Sequence, residues 1–292
     1  PVERHHGHEL LHLRDAAVLG GGQLVGVLGE RATAGDGDAP AHGVPLTENA
    51  VVVSAVANTA GIRAAQRESG AGLSVYAMAT ERGETQTGFG FAVGRSAQEL
   101  SVETTAAEAV ARTVQLLGAT KPPSGKMNVV LDPWVTAQFI GVIAEMLSGE
   151  EVRKRRTPFA DRLGQAVASN LVTLLDDPTD PRAPGASLTD DEGLACRRVN
   201  LIDGGTLVGY LHNSVTGGVL GGGSTGSAIR SGSSLSVGPR AVRLMPGQTP
   251  RPDVLAAVGD GVLVTEVSGL HSGVNPTSGD FSCGVEGLLI RN

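Results

Sequence analysis

Glycine interrupts this chain at 42 of 292 positions, about 14% against a usual share of roughly 7%. The glycines follow no three-residue period and the hydrophobic fraction is an ordinary 40%, so neither a collagen helix nor wholesale disorder fits. What remains is a globular chain whose elements are short and closely turned, and 292 residues suffice for one large domain or two ordinary ones without metal or disulfide staples. Only 3% of residues are aromatic, which leaves almost no material for stacking nucleic-acid bases. The formal charge of −7 has the wrong sign for holding a phosphate backbone through the overall field. The densest basic run, Arg153-Lys154-Arg155-Arg156, follows Glu150-Glu151 and reads as a solvated helix end.

The two cysteines, Cys196 and Cys283, form no CxxC unit and point to a reducing cytoplasm. Cys283, opening an apolar strand, reads as a small core residue. No stretch of 18 apolar residues appears and the start lacks a basic-then-apolar leader, so no membrane role is expected. The chain opens on Pro1, which implies processing or a missing start.

Hydrophobic period predicts an α+β chain: a mixed N-terminal domain followed by a larger strand-rich domain, barrel-like or a curved sheet. Residues 1–45 form a poorly defined segment, with a loop over Ala32–Pro45. Residues 46–122 form the mixed domain and 123–292 the strand-rich one. Strands over Ala50–Ala57, Leu73–Ala79 and Thr85–Val93 make a meander. From Gln98 to Leu117 the apolar spacing becomes helical, with Ser96 as N-cap and Gly118 just past the end. A strand Met127–Leu131 leads through Asp132-Pro133 into a helix ending near Leu147. Gly204-Gly205 joins Arg198–Asp203 and Thr206–His212 as a hairpin. The glycine- and serine-rich stretch Thr216–Gly238 is either a flexible linker or a loop whose backbone approaches a neighbour. A short helix over Pro252–Val258 and strands over Gly261–Val267 and Gly284–Ile290 complete the chain.

Three patterns bear on chemistry. His8-Glu9-Leu10-Leu11-His12 spells H-E-x-x-H, which on a helix sets two imidazoles one turn apart to grip zinc with the glutamate as base. Four of the seven histidines crowd into this ragged opening, and chance matches of five residues are frequent, so a tag-like tract outweighs a metal site. No G-x-S-x-G elbow selects a serine nucleophile, and Gly217–Gly226 lacks the Lys-Ser or Lys-Thr ending of a phosphate loop. His271 and Asp280 bracket a turn rich in glycine and proline and bond nearby backbone in the simplest reading.

The stretch Gly269–Ser282, reading GLHSGVNPTSGDFS, resembles the C-terminal signature of the TldD/PmbA family, bacterial proteins once called modulators of DNA gyrase. The resemblance extends in order through Val56–Gly61, Gln86-Thr87-Gly88, Val129–Pro133, Asp190–Gly193 with Arg197-Arg198, Gly209-Tyr210-Leu211 and Ser224-Thr225-Gly226, covering about Val51 to Asn292. It implies a cytoplasmic pair of subunits, TldD-like and PmbA-like (also called TldE), that form a zinc peptidase acting on small or unfolded peptides. In the family only the TldD-like subunit carries the metal motif H-E-x-x-x-H, on the helix after the V-V-L-D-P-like strand. Here that helix, Trp134 to Met146, has no histidine, and Gln138 with Glu145 cannot replace two imidazoles.

The resemblance therefore implies a non-metal, PmbA/TldE-like subunit with no cofactor of its own. Zinc is expected in a TldD-like partner, and His271, Asn275 and Asp280 form a substrate or interface turn. His8, Glu9 and His12 lie upstream with the wrong spacing. The rival readings are a stand-alone zinc peptidase using those three residues and a non-enzymatic binding or regulatory protein. Family members are longer at both ends, so the chain is expected to be trimmed. Uncovered strand edges near Asn292 then predict self-association as a twofold dimer.

Overall fold

The computed structural model describes residues 17–19, 23–25, 41–122 and 124–291. The chain divides into two compact units: Pro1–Val52 with Ser69–Gly125, and Val53–Glu68 with Lys126–Asn292. The fold is α+β, as the periodicity implied.

The first unit is built on a five-stranded meander in sequence order: β1 (Ala17–Leu19), β2 (Gln23–Val25), β3 (Ala41–Ala57), β4 (Arg63–Glu81) and β5 (Glu84–Gly94). The outer end of the β3–β4 hairpin, Val53–Glu68, belongs to the second unit. Both strands run further than apolar alternation predicts. The expected loop to Pro45 gives way to strand from Ala41, because pairing of Leu46 and Thr47 with β2 carries residues whose own propensity is weak. β4 shows a strict two-residue period where Ala71, Leu73, Val75, Ala77 and Ala79 are buried while Tyr76 and Met78 are exposed.

The buried face of β4 is covered by α1 (Val102–Gln115), which contributes Ala106 and Ala109 to a core with Leu73, Val75 and Ala77. Each buried leucine or valine side chain contributes about 1.5–3 kcal/mol of transfer free energy. On β5, Gly88 and Gly90 stand opposite Ala77 and Val75. A Cβ at Gly90 would overlap the Thr105 carbonyl oxygen, and one at Gly88 would overlap Thr113. These glycines set the close approach of helix to sheet. The helix starts later than Gln98. Ser96 Oγ donates to Glu99 Oε1 (3.2 Å) and a single 3-10 turn forms over Ala97–Glu99. Ser101 Oγ, in place of Ser96, accepts the capping bond from Thr104 N (3.2 Å).

The second unit starts with β6 (Asn128–Leu131), α2 (Pro133–Met146) and α3 (Gly149–Arg153), followed by β7 (Leu174–Asp176), β8 (Val199–Asp203) and β9 (Thr206–Leu207). Next come α4 (Ser214–Leu220), β10 (Ala228–Ser231), β11 (Ser234–Val237), β12 (Val242–Leu244) and α5 (Arg251–Ala257). The chain closes with β13 (Gly261–Ser268), α6 (Leu270–Gly273) and β14 (Gly284–Ile290). The strands form a four-stranded sheet ordered β12-β7-β8-β9, a three-stranded sheet ordered β14-β13-β6, and the β10–β11 hairpin. Within the three-stranded sheet β6 lies parallel to β13, with α2 following β6 directly. Leu147, Leu174, Leu201, Leu207 and Leu211 form the main core. Val135, Val264 and Val267 form a smaller one, against which Cys283 packs partly buried.

The β8–β9 hairpin turns at Gly204-Gly205 with Ile202 opposite Leu207 and Asp203 opposite Thr206. Its second strand stops at Leu207 and does not continue to His212. Val208 N and Gly209 N both aim at the Leu201 carbonyl, after which Leu211 pairs with Leu147. Thr216–Gly238 is no linker: it holds α4 and the β10–β11 hairpin. Gly217 lies so near the Gly223 backbone that a Cβ would overlap it. The basic run ends α3 as a solvated cluster. Arg153 and Lys154 meet Glu150 at 3.1 and 2.6 Å, Arg156 meets Glu151 at 2.7 Å, and Arg155 pairs with Asp161. The Arg153 and Lys154 hydrogen bonds hold the Glu150 carboxyl below its ordinary range. Among the described residues, no helix is long and apolar enough to cross a membrane.

Candidate functional site

Polar groups gather around open space at several places among the described residues of the second unit, and two of these carry the sequence motifs. The first is the turn between β13 and β14. Gly269, at φ 80°, starts α6, and Val274 then bridges to Phe281. Inside this bridge the Asn275 N–H donates to the Asp280 carbonyl (2.8 Å), while Asn275 Oδ1 accepts from Thr277 N (3.0 Å) and Ser278 N (3.3 Å). Ser278 Oγ donates to Asp280 Oδ2 (2.8 Å). Gly279 sits at φ 81°, and a Cβ on Gly273 would overlap the Ser282 carbonyl oxygen, so both positions require glycine. The turn thus joins Asn275 to Asp280. His271 stands exposed on α6, and among the described residues it takes no part in these bonds.

This turn docks on α2. Phe281 meets Phe139 edge-on with ring centroids 5.3 Å apart, and Pro276 lines a cleft of about 490 Å³ with Glu145, Ser148 and Glu150. α2 itself is set by Asp132, whose N–H donates to Val264 O (2.9 Å) and whose Oδ1 accepts from Trp134 N (3.0 Å). Gln138 and Glu145, seven residues apart, share a helix face; Glu145 is exposed, and the Nε2 of the half-buried Gln138 has no hydrogen-bond partner among the described residues. An amide and one carboxylate do not make a zinc site, which needs neutral imidazoles or thiolates. Among the described residues no three His, Cys, Asp or Glu side chains gather to hold a metal ion. His8, Glu9 and His12 lie outside the described residues.

The second place is a cleft of about 720 Å³ lined by Tyr210, His212, Arg197, Arg198 and the Gly221–Gly223 backbone. Its floor is firmly held. Gly149 N donates to Leu211 O (2.7 Å) and Leu211 N to Leu147 O (3.0 Å). His212 N donates to Thr225 Oγ1 (2.7 Å), and its Nδ1 lies 3.3 Å from Thr216 Oγ1. Asn213 and Thr216 exchange the reciprocal bonds of a capping box that starts α4. Tyr210 Oη donates to Phe159 O (2.7 Å), and burial raises its phenol. Burial lowers the His212 imidazole, which favours the neutral ring.

The acidic motif Asp190-Asp191-Glu192-Gly193 ties this floor to its surroundings. Asp190 accepts from Glu192 N (3.0 Å), Leu194 N (2.9 Å) and Ala228 N (3.1 Å). Glu192 accepts from Ser214 N (2.8 Å) at the head of α4, and Asp191 from Arg230 N (2.6 Å). Cys196 is buried behind it, its Sγ donating to Gly226 O (3.2 Å) and its thiol pushed up to about 11 by burial, so it is no nucleophile at neutral pH. Sequence reasoning passed over the cleft. Its residues come from several separate segments, around Asp161, Arg197, Tyr210 and Gly222, and the available local signal was the Asn213-x-x-Thr216 box behind a lone histidine.

These features define a two-unit α+β chain with a cleft of about 720 Å³ and, on the helix following β6, a carboxamide and a carboxylate but no imidazole. Residues 124–292 match the PmbA/TldA metallopeptidase C-terminal domain and residues 31–117 the corresponding central domain. The chain belongs to the PmbA/TldD metallopeptidase family. It is 31% identical over 179 residues to a metalloprotease TldD homolog of Haemophilus influenzae, covering 60% of this chain and 37% of that protein. It is 26% identical over 221 residues to the metalloprotease PmbA of Escherichia coli O157:H7, covering 75% and 47%. A crystal structure from Thermotoga maritima, of a candidate modulator of a DNA gyrase, superposes with a TM-score of 0.80 at 27% identity, over 85% of this chain and 57% of that one. The chain spans less than half the length of these two metalloprotease relatives.

Proposed function

We propose that the chain acts as the PmbA/TldE-like, non-metal subunit of a TldD/TldE-type peptidase that processes small or unfolded peptides in the cytoplasm. The observation that carries this reading is α2, which follows the V-V-L-D-P strand yet offers only Gln138 and Glu145 where the metal-bearing kind needs imidazoles. Zinc, water activation and oxyanion stabilisation belong to a TldD-like partner, while this chain supplies main-chain edges and a cleft for an extended peptide. The turn holding His271, Asn275 and Asp280, docked on α2 through Phe281, serves as the substrate or interface turn. Two free cysteines agree with a reducing compartment.

Mixing the purified chain with a TldD-like subunit tests this directly. Peptide cleavage is expected from the mixture and not from this chain by itself, with zinc retained by the partner. One zinc per isolated chain, with hydrolysis abolished by His8→Ala or His12→Ala, would overturn the proposal and restore the stand-alone peptidase.

A further inference from the structure

The cleft beside His212 concentrates positive charge that the fold does not use. Arg197 and Arg198 both line it and both are exposed. Among the described residues no ion pair neutralises either arginine. The carboxylate on the rim, Asp161, is already engaged by Arg155. His212 favours its neutral form. Two adjacent cations thus stand in a concave site on a chain whose overall charge is −7, so the local field opposes the global one.

The rest of the lining says what kind of anion fits. Gly221, Gly222 and Gly223 lie at φ 89°, 84° and 72° and present a wall without side chains, against which another backbone can lie. Val208 and Leu220 add apolar surface. The volume falls in the roughly 300–1,000 Å³ range of sites that enclose a small ligand. Tyr210 and His212 pack against each other with centroids 6.4 Å apart, which leaves no open ring pair for stacking a base.

From this arrangement we infer that the cleft binds a carboxylate of an extended peptide, with Arg197 and Arg198 as the anchoring pair. A guanidinium fork accepts a carboxylate through two parallel N–H bonds, which fixes the direction of the bound chain as well as holding it. The carboxylate is either the peptide's C-terminus or an acidic side chain; the chemistry of capture is the same. The inference names the substrate class of the proposed peptidase subunit and rests on that reading only in making the ligand a peptide.

The test uses fluorescence anisotropy on the full chain with three labelled, alanine-rich five-residue peptides: a free acid, its C-terminal amide, and an amide with one central glutamate. The wild-type chain is expected to bind the free acid or the glutamate amide at least tenfold more tightly than the plain amide. Whichever of the two binds identifies the source of the carboxylate. The Arg197→Gln/Arg198→Gln double variant should lose that preference with an unchanged melting temperature, since both side chains are exposed. A double Arg→Lys variant, keeping charge but losing the fork, should retain only part of it. Arg153→Gln, outside the cleft, should retain all of it.

Equal binding of the three peptides by the wild type, a preference that survives in the double Gln variant, or tighter binding of a single-stranded oligonucleotide than of any peptide would each overturn the inference. Cleavage assays on the reconstituted complex separate this from the subunit assignment. Free-acid, plain-amide and glutamate-amide peptides all cleaved alike would defeat the cleft and leave the assignment standing. Arginine-dependent carboxylate binding with no cleavage on mixing would do the reverse.

Discussion

The interiors of the two units are held by different means. In the first, Leu73, Val75, Ala77, Ala106 and Ala109 pack by volume, and among the described residues the buried polar groups are Thr105 and Thr113, whose hydroxyls donate to the Ser101 and Ala109 carbonyls one turn back, that of Thr113 also reaching the Ala77 carbonyl. In the second, Asp132, Asp176, Asp190, His212, Asn213 and Thr216 are all buried beside the leucines, and most of them hold loops in place. A volume-packed unit fails when atoms are added at its closest contact. A hydrogen-bonded unit fails when one acceptor is removed, because its donors are then left dry.

The largest effect is expected at the closest contact of the first unit. Gly90→Val drives a branched side chain into the Thr105 carbonyl, where no rotamer avoids backbone, and should cost about 3 kcal/mol or more. Hydrogen exchange should show amide protection lost over β4 and β5 while β8 keeps its own. Loss of protection in β8 as well would break the contrast, since the two supports would then be one.

Next is Asp190→Ala in the second unit. It strips an acceptor from Glu192 N, Leu194 N and Ala228 N, and a buried donor left without a partner costs about 1–3 kcal/mol. The midpoint of urea unfolding should drop, and Asp190→Asn, which keeps one carbonyl oxygen, should recover part of the loss. An Asp190→Ala midpoint equal to wild type would mean that these bonds merely decorate an apolar core.

The same contrast explains what could be read from the residues alone. β5, α1 and the entry to α2 announce themselves within a few positions, through two-residue alternation, helical spacing and an Asp-Pro start. The turn of Asn275 and Asp280 was legible for the same reason, since its bonds close within six residues. Other polar ties of the second unit do not close locally. Asp190 reaches Ala228, Asp176 accepts from Ala241 N at 2.5 Å, and Gln66 at the hairpin end accepts from Thr189 N at 3.0 Å, 123 residues away. No local period encodes such partners, and none encodes the His212 cleft, whose lining comes from separate segments around Asp161, Arg197, Tyr210 and Gly222. The late start of α1 has a shorter cause, in which Glu99 captured Ser96 and left Ser101 to cap.

The smallest expected effect concerns protons. Burial lowers the His212 imidazole in the folded chain from its ordinary value of about 6.5. As pH falls through that ordinary value the unfolded chain takes up a proton that the folded chain still refuses, so stability must decline. The decline ends once the folded imidazole is protonated too. Asp176 carries the opposite sign: burial raises its carboxyl, the folded chain binds that proton first, and acid relieves the cost of keeping the group charged. Its effect belongs to a lower window, starting at its raised folded value and complete below the unfolded carboxylate value. Melting temperature against pH should therefore fall from pH 7 through the histidine range and flatten below it. His212→Asn should lower the whole curve by removing a packed ring, yet give a shallower slope between pH 7 and the end of the histidine window. A variant slope equal to that of wild type would place the pH sensitivity elsewhere, and would show that this buried ring, unlike the acceptors around it, contributes by volume as the side chains of the first unit do.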